Sequence, residues 1–228
     1  MPDRLHRCRL LVGEENLAKL QHATVMVVGC GAVGSFAIEA LARSGIGHII
    51  LVDFDEIEES NINRQLFATQ NTLGRKKTTA ARERIATISP DIHVTELDIF
   101  FDKNTLPPVR PDFVIDAIDT IGSKVALYEW CEQNGIPFIS SMGAARKTDP
   151  TQIKIAKLSK TVACPLARQI RKLVRERGLG DFPVVFSTEP PAPQKTPDKN
   201  MGSIITVTGT FGLAAANYTI KYIINSKS

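Results

Sequence analysis

Thr24-Val25-Met26-Val27-Val28-Gly29-Cys30-Gly31-Ala32-Val33-Gly34 decides the fold. An apolar run that stops at glycine reads as a parallel strand buried on both faces. Glycines spaced G-x-G-x-x-G after such a strand turn the chain sharply and open a helix. Gly29 permits the turn, Gly31 lets backbone approach a phosphate, and Gly34 lets helix and strand pack closely. The helix start then offers free N–H groups and partial positive charge to an anion. Residues 32–44 carry apolar residues at helical spacing, with Gly45 as the stop. The run 48–53 is a second buried strand, and Asp53 at its end stands where an acidic residue meets ribose hydroxyls.

Outward from there, helical and extended segments alternate. Residues 74–89 read as a helix that stops before Pro90, and 94–97 as a strand whose alternation suits an edge. A strand over 113–116, a helix over 123–134 closed by Gly135 and a strand over 138–140 follow. The expected fold is therefore α/β: a doubly wound, mostly parallel Rossmann-like sheet. Beyond Ala144 the rhythm changes. Residues 152–157 alternate like an exposed antiparallel strand, 166–177 form a basic helix, and 184–186 another strand. The stretch 189–200 holds four prolines and reads as a surface loop. The chain returns to the core over 202–224. One domain over 1–228 is expected, with a nucleotide-binding core at about 20–144 flanked by further elements at about 1–20 and 145–228.

Composition narrows the classes. The 228 residues are 43% hydrophobic and 23% charged, ordinary for a soluble globular protein. Cys8, Cys30, Cys131 and Cys164 form no C-x-x-C pair, which argues against a disulfide framework and a tetrahedral zinc site. Cys30 reads as small filler. The start MPDRLHRCRL lacks the apolar core of a signal peptide, and the 204–224 run is interrupted by polar residues. A cytoplasmic protein with no membrane partner is expected. The net charge of +4 is mild, but Arg168, Arg171, Lys172 and Arg175 recur at three- and four-residue spacing. They make either a solvated helix face or a stripe that follows a phosphate backbone.

The glycine pattern alone leaves NAD and ATP undecided. Ser60-Asn61-Ile62-Asn63-Arg64-Gln65-Leu66, just beyond Asp53-Phe54-Asp55, helps to decide. Asn61 and Arg64 are one helical turn apart and can face one ligand, with Gln65 alongside and Lys77 following. A fork-shaped donor, a point cation and neutral amides suit a triphosphate and have no use beside a nicotinamide ring. Two cations also allow a carboxylate to approach phosphorus: each charge pair is worth roughly 4 kcal/mol at about 4 Å before desolvation. Asp119, just past the fourth strand, could hold Mg2+ against the phosphates; Asp116 is the alternative.

The ordered string Gly29-x-Gly31-x-x-Gly34, Asp53-x-Asp55, Asn61-x-x-Arg64-Gln65, Lys77 and Asp119 resembles the ubiquitin-activating-enzyme-like superfamily, ATP-dependent adenylating enzymes that include ThiF and MoeB. The resemblance implies phosphate contacts for the glycines, Asn61, Arg64 and Lys77, ribose contacts for Asp53 and Asp55, and Mg2+ on Asp119. Thr120 departs from the asparagine that often follows the metal aspartate there. It also implies a homodimer in which an N-terminal arginine reaches the partner's site. Arg7, six residues before Gly13, takes that role, with Arg9 as the alternative. Sulfur-carrier activators in the superfamily usually carry two C-x-x-C zinc pairs, which are missing here.

The C-terminal third instead resembles the tRNA threonylcarbamoyladenosine dehydratases, through Asp149-Pro150-Thr151-Gln152-Ile153, Pro165-Leu166-Ala167, Val185-Phe186-Ser187-Thr188-Glu189 and Thr208-x-Thr210-Phe211-Gly212. The segment after Glu189 is shorter than that resemblance leads one to expect. What it implies is a tRNA partner, met by Arg168, Arg171, Lys172 and Arg175, and a sulfurtransferase-type accessory protein. The implied reaction uses ATP and Mg2+. The threonylcarbamoyl carboxylate beside the anticodon is adenylated, then the same side chain closes a ring with net loss of water. Arg64, Lys77, Asp119 and Arg7 are the expected catalytic set. The rivals are an activator of a small ubiquitin-like or sulfur-carrier protein, an NAD(P)-dependent oxidoreductase, and a non-catalytic Rossmann module.

Overall fold

The computed structural model describes residues 3–104, 110–198 and 200–226. Two helices come first, α1 (His6–Val12) and α2 (Glu14–His22), followed by β1 (Thr24–Val28), α3 (Gly34–Ser44) and β2 (His48–Val52). Next come α4 (Lys77–Ile88), β3 (His93–Leu97), β4 (Phe113–Asp116), α5 (Ile121–Gln133) and β5 (Phe138–Ser141). The last third holds β6 (Ile153–Lys157), α6 (Pro165–Glu176), β7 (Pro183–Ser187) and α7 (Ile205–Asn225). The expected elements stand within a few residues of these bounds. Helices α1 and α2 were not anticipated: α1 buries nothing, and α2 buries only Leu17 and Leu20, too little to print a periodicity.

The seven strands form one sheet in the order β3-β2-β1-β4-β5-β7-β6, parallel throughout except for β6, which runs antiparallel to β7. Burial follows position. β4 is buried along its whole length, whereas the edge strands β3 and β6 have no buried residue. Alternate residues of each strand face opposite layers. Val25, Val27, Ile49, Leu51 and Ile115 pack with α2, α3, α4 and α7 on one face. Met26, Val28, Ile50, Val52 and Val114 pack under α5 on the other. Helix α6 extends that second layer over Val184 and Phe186. Among the described residues no helix is long and apolar enough to cross a membrane.

The strand order reverses direction between β1 and β4. In an open parallel sheet that switch point leaves a crevice beyond the carboxyl ends of the strands, where ligands bind.

Candidate functional site

The crevice is a cavity of about 920 Å³ over the ends of β1, β2, β4 and β5. Its floor is the turn after β1. Gly29 adopts φ 95°, and a Cβ on it would stand 2.6 Å from the Ala117 carbonyl oxygen. A Cβ on Gly34 would stand 1.7 Å from the Gly29 carbonyl oxygen. Only bare glycine lets α3 seat this closely. Gly29 and Gly31 line the cavity, while Gly34 is packed behind them. Cys30 is buried and its thiol is pushed well above the ordinary range by burial, with the Asp53 charge next, so it is filler rather than nucleophile.

Asp53 ties this turn to the end of β2. Its Oδ2 accepts the Cys30 N–H at 2.7 Å and its Oδ1 accepts the Asp55 N–H at 2.9 Å. Burial raises its pKa, opposed by the Lys77 charge and these N–H donors. Each carboxylate oxygen keeps a lone pair for a hydroxyl in the cavity.

The 60–66 segment forms the side wall. A short 3-10 turn, Glu59–Asn61, is closed by reciprocal hydrogen bonds between Glu58 and Asn61. The Leu66 N–H donates to Ser35 Oγ at 3.0 Å, pinning the segment to α3. Asn61 and Gln65 are buried, and Arg64 is half-buried, its guanidinium donating to the Ser60 carbonyl at 2.7 Å and Asn63 Oδ1 at 2.8 Å. Lys77, the first residue of α4, is buried and donates to Asp55 Oδ2 at 2.6 Å. Asp53, Asp55, Asn61, Arg64, Gln65 and Lys77 all line the one cavity. Residues separated by up to 48 positions with Gly29 therefore meet at one anion-accepting surface.

The two candidate metal aspartates part company. Asp116 is fully buried and paired with Lys124 at 2.7 Å, so the alternative of Asp116 as metal ligand is corrected: its oxygens are spent inside the fold. Asp119 is exposed on the cavity wall and takes no hydrogen bond or ion pair from the described residues. Four residues on, the Ser123 hydroxyl lines the same cavity, buried and without a partner among the described residues. An unspent carboxylate beside an orphaned hydroxyl fits Mg2+, which takes oxygen ligands and usually only one or two carboxylates, completing its shell with phosphates and water. Among the described residues no group of three His, Cys, Asp or Glu could hold a metal by itself.

Sequence reasoning missed the rest of the lining. Phe54 and Phe100, edge to face with centroids 5.0 Å apart, stand half-exposed at the mouth beside Asp53. Residues 141–145, after β5, and 200–203 form the wall away from the 60–66 segment. The signal for 141–145 was present, because strand ends at a switch point line the crevice. The 189–203 loop gave none. It is held by Arg146, itself at φ 60°, whose N–H donates to the Gly202 carbonyl at 2.8 Å and whose Nε donates to the Ala192 carbonyl at 2.7 Å. Lys199 in that loop lies outside the described residues, as do Met1 and Pro2.

Arg7 is exposed on α1 and away from this chain's own cavity. Arg9 is paired with Asp3 at 2.9 Å and Glu14 at 2.7 Å. On α6, Arg168, Lys172 and Arg175 are exposed, whereas Arg171 donates to the Thr161 carbonyl at 3.0 Å and to its hydroxyl. The four surround a separate hollow of about 550 Å³.

The ThiF family model matches residues 4–228. The chain is 46% identical over 189 residues to the tRNA threonylcarbamoyladenosine dehydratase of Bacillus subtilis (strain 168), covering 81% of this chain and 74% of that one. Among solved structures, Escherichia coli tRNA N6-threonylcarbamoyladenosine dehydratase in complex with ATP matches with a TM-score of 0.91 at 37% identity, over 97% of this chain and 93% of that one. The same protein in complex with AMP matches with a TM-score of 0.91 at 36% identity, over 98% and 97%.

Proposed function

Because this chain belongs to the ThiF family, we propose that it is an ATP-dependent enzyme that dehydrates threonylcarbamoyladenosine in tRNA. The observation that carries the reading is the convergence of Asn61, Arg64, Gln65 and Lys77 with the Gly29–Gly31 turn on one cavity. Its relatives support it: one bears the dehydratase name, and a neighbour in structure holds ATP in one complex and AMP in another.

Each residue has a task in that reaction. The glycine turn and the start of α3 receive phosphate through N–H groups. Asp53 and Asp55 meet the ribose, and Asn61 and Gln65 orient the phosphate chain. Arg64 and Lys77 stabilise charge that develops around the α-phosphate when the threonylcarbamoyl carboxylate attacks it and pyrophosphate leaves. Asp119 and Ser123 would hold Mg2+, which supplies further charge neutralisation on the phosphates. An atom of the same side chain then attacks the activated carbonyl. AMP departs carrying one carboxylate oxygen, and the nucleoside has lost the elements of water. Ring closure within one side chain needs positioning rather than a protein nucleophile. The deeply buried Cys30 and Cys131, whose thiols burial pushes up, agree with that.

We assign Arg168, Arg171, Lys172 and Arg175 to the tRNA backbone, and the enzyme to the cytoplasm with its substrate. A homodimer is part of the proposal. Helix α1 buries no residue of its own, Leu10 and Leu11 are exposed, and Arg7 has no partner among the described residues, whereas Arg9 is paired. That makes Arg7 the residue available to a partner's site.

The test is direct. Purified protein is incubated with ATP, Mg2+ and tRNA bearing threonylcarbamoyladenosine, and the nucleosides are read by mass spectrometry. Loss of one water from the modified nucleoside is expected. Unchanged nucleoside, with adenylation of a protein ending in diglycine, would show a carrier-protein activator instead.

A further inference from the structure

Lys124 and Asp116 form an ion pair with both side chains fully buried, at 2.7 Å. The desolvation of two charges offsets most of their attraction, so such a pair is weak evidence for stability. What it supplies here is geometry. The Lys124 ammonium donates to Asp116 Oδ2, to the Ser141 carbonyl at 2.8 Å and to Ser140 Oγ at 3.4 Å, one acceptor for each of its protons. The acceptors stand at the carboxyl ends of β4 and β5, and Lys124 stands at the start of α5.

Asp116 completes the network. Its Oδ2 also accepts the Tyr128 and Ser140 hydroxyls at 2.9 and 2.5 Å, and its Oδ1 accepts the Ile118 N–H at 3.0 Å. Burial, with the Asp116 charge second, pushes the Tyr128 phenol well up, so it stays a donor. Both ends of this network open on the cavity. Ile118 immediately precedes Asp119, and Ser141 begins the 141–145 wall.

We infer that Lys124 is a positioning residue for adenyl transfer: by clamping the start of α5 to the ends of β4 and β5, it fixes where Asp119 and the 141–145 wall stand relative to each other. Phosphate and carboxylate meet between those two walls, and a displacement of about 1 Å can cost about 10²-fold in rate. The inference rests on the adenylation reading given above.

Lys124→Met alone leaves Asp116 charged and unpaired, and it is expected to lower the melting temperature sharply. The informative protein is Lys124→Met with Asp116→Asn, which removes both charges and keeps an oxygen for the Ile118 N–H. Melting temperature, ATP Kd with and without Mg2+, and kcat and KM for ATP on modified tRNA are measured on it. The melting temperature should recover most of the loss, and the metal-free Kd should stay within about threefold of wild type. The Mg2+-dependent gain in ATP affinity should shrink about tenfold or more, as for loss of a residue that orients a metal ligand. The kcat should fall about tenfold or more with KM for ATP nearly constant.

A folded double variant with wild-type kcat and a wild-type Mg2+ response overturns the inference. So does one in which every readout declines in step with melting temperature, the mark of a purely structural pair. A wild-type protein that responds to Mg2+, loses that response in the double variant and leaves tRNA unchanged supports the positioning role and refutes the tRNA reading instead.

Discussion

The Lys77 ammonium lies 2.6 Å from the Asp55 carboxylate, with the lysine side chain 9% exposed and the aspartate 45%. A half-exposed carboxylate adds little stability to such a pair. Its effect is to hold a cation at the base of the cavity proposed for the phosphates. Lys77→Ala is expected to lower turnover by about 10²–10³-fold, the usual loss for one preorganised donor. Asp55→Asn keeps the lysine but loosens its aim, and a loss of about tenfold is expected. Steady-state rates on modified tRNA decide it; Asp55→Asn as damaging as Lys77→Ala would make the aspartate's own ribose contact, rather than its hold on Lys77, the larger effect.

Arg64 is held toward the cavity by the Ser60 carbonyl and Asn63 Oδ1 rather than by a carboxylate. Its charge is therefore unspent. Arg64→Ala should cost about 10²–10³-fold in turnover while leaving the melting temperature nearly unchanged, because the side chain is only half-buried and its hydrogen bonds stay within its own turn. Near-normal cyclisation by the variant would remove Arg64 from the chemistry.

On α6, Arg168, Lys172 and Arg175 are exposed and Arg171 is engaged with Thr161. Changing the three exposed residues to Gln should weaken tRNA binding and flatten the dependence of log K on log salt by about 2–3, near one unit for each lost phosphate contact. ATP affinity should not move. A salt titration that overlays wild type would make the face a solvated one.

Gly34→Ala tests the seat of α3. The new Cβ would meet the Gly29 carbonyl oxygen, and neither backbone can yield without opening the turn. The expected result is loss of ATP binding and a lower melting temperature, read by calorimetry. Retained binding would mean that the turn can shift as a unit.

His48 predicts a dependence on pH. Its ring packs 4.2 Å from that of His93, with its nitrogens 3.3 Å from the Thr24 hydroxyl and 2.9 Å from that of Thr95. Burial first, and the His93 charge second, lower its pKa below 6.5. The unfolded chain then takes up the proton more readily than the folded one, so stability falls as pH drops through about 6.5 and is unaffected well above it. Melting temperatures from pH 7.5 to 5.5 should decline less steeply in His48→Gln than in wild type. Parallel declines would locate the dependence elsewhere.

Periodicity made most of the sheet legible. Strands β1, β2 and β4 are short apolar runs because both their faces are covered, and helices α3 and α5 end at glycines that accept a left-handed turn. The edge positions of β3 and β6 were readable from alternation. The convergence of Asn61, Arg64 and Gln65 on one cavity with the glycine turn was readable too, because the three sit within one local turn and the glycine spacing is itself a backbone requirement. These features depend on neighbours in the chain, and a sequence records neighbours in the chain.

Which charges remain free for a ligand was decided elsewhere. Asp116 and Asp119 look alike in the sequence, yet Asp116 is consumed by Lys124 and Tyr128 across the β4–α5 layer while Asp119 faces the cavity. Arg7 and Arg9 look alike, yet Arg9 is taken by Asp3 and Glu14. Residues 141–145 and 200–203 reach the same cavity although some 60 positions separate them. Side-chain direction on one element follows from its local period, but pairing depends on which elements the packed core brings into contact. That is set by the burial of both sheet faces at once, so only the tertiary structure could assign it.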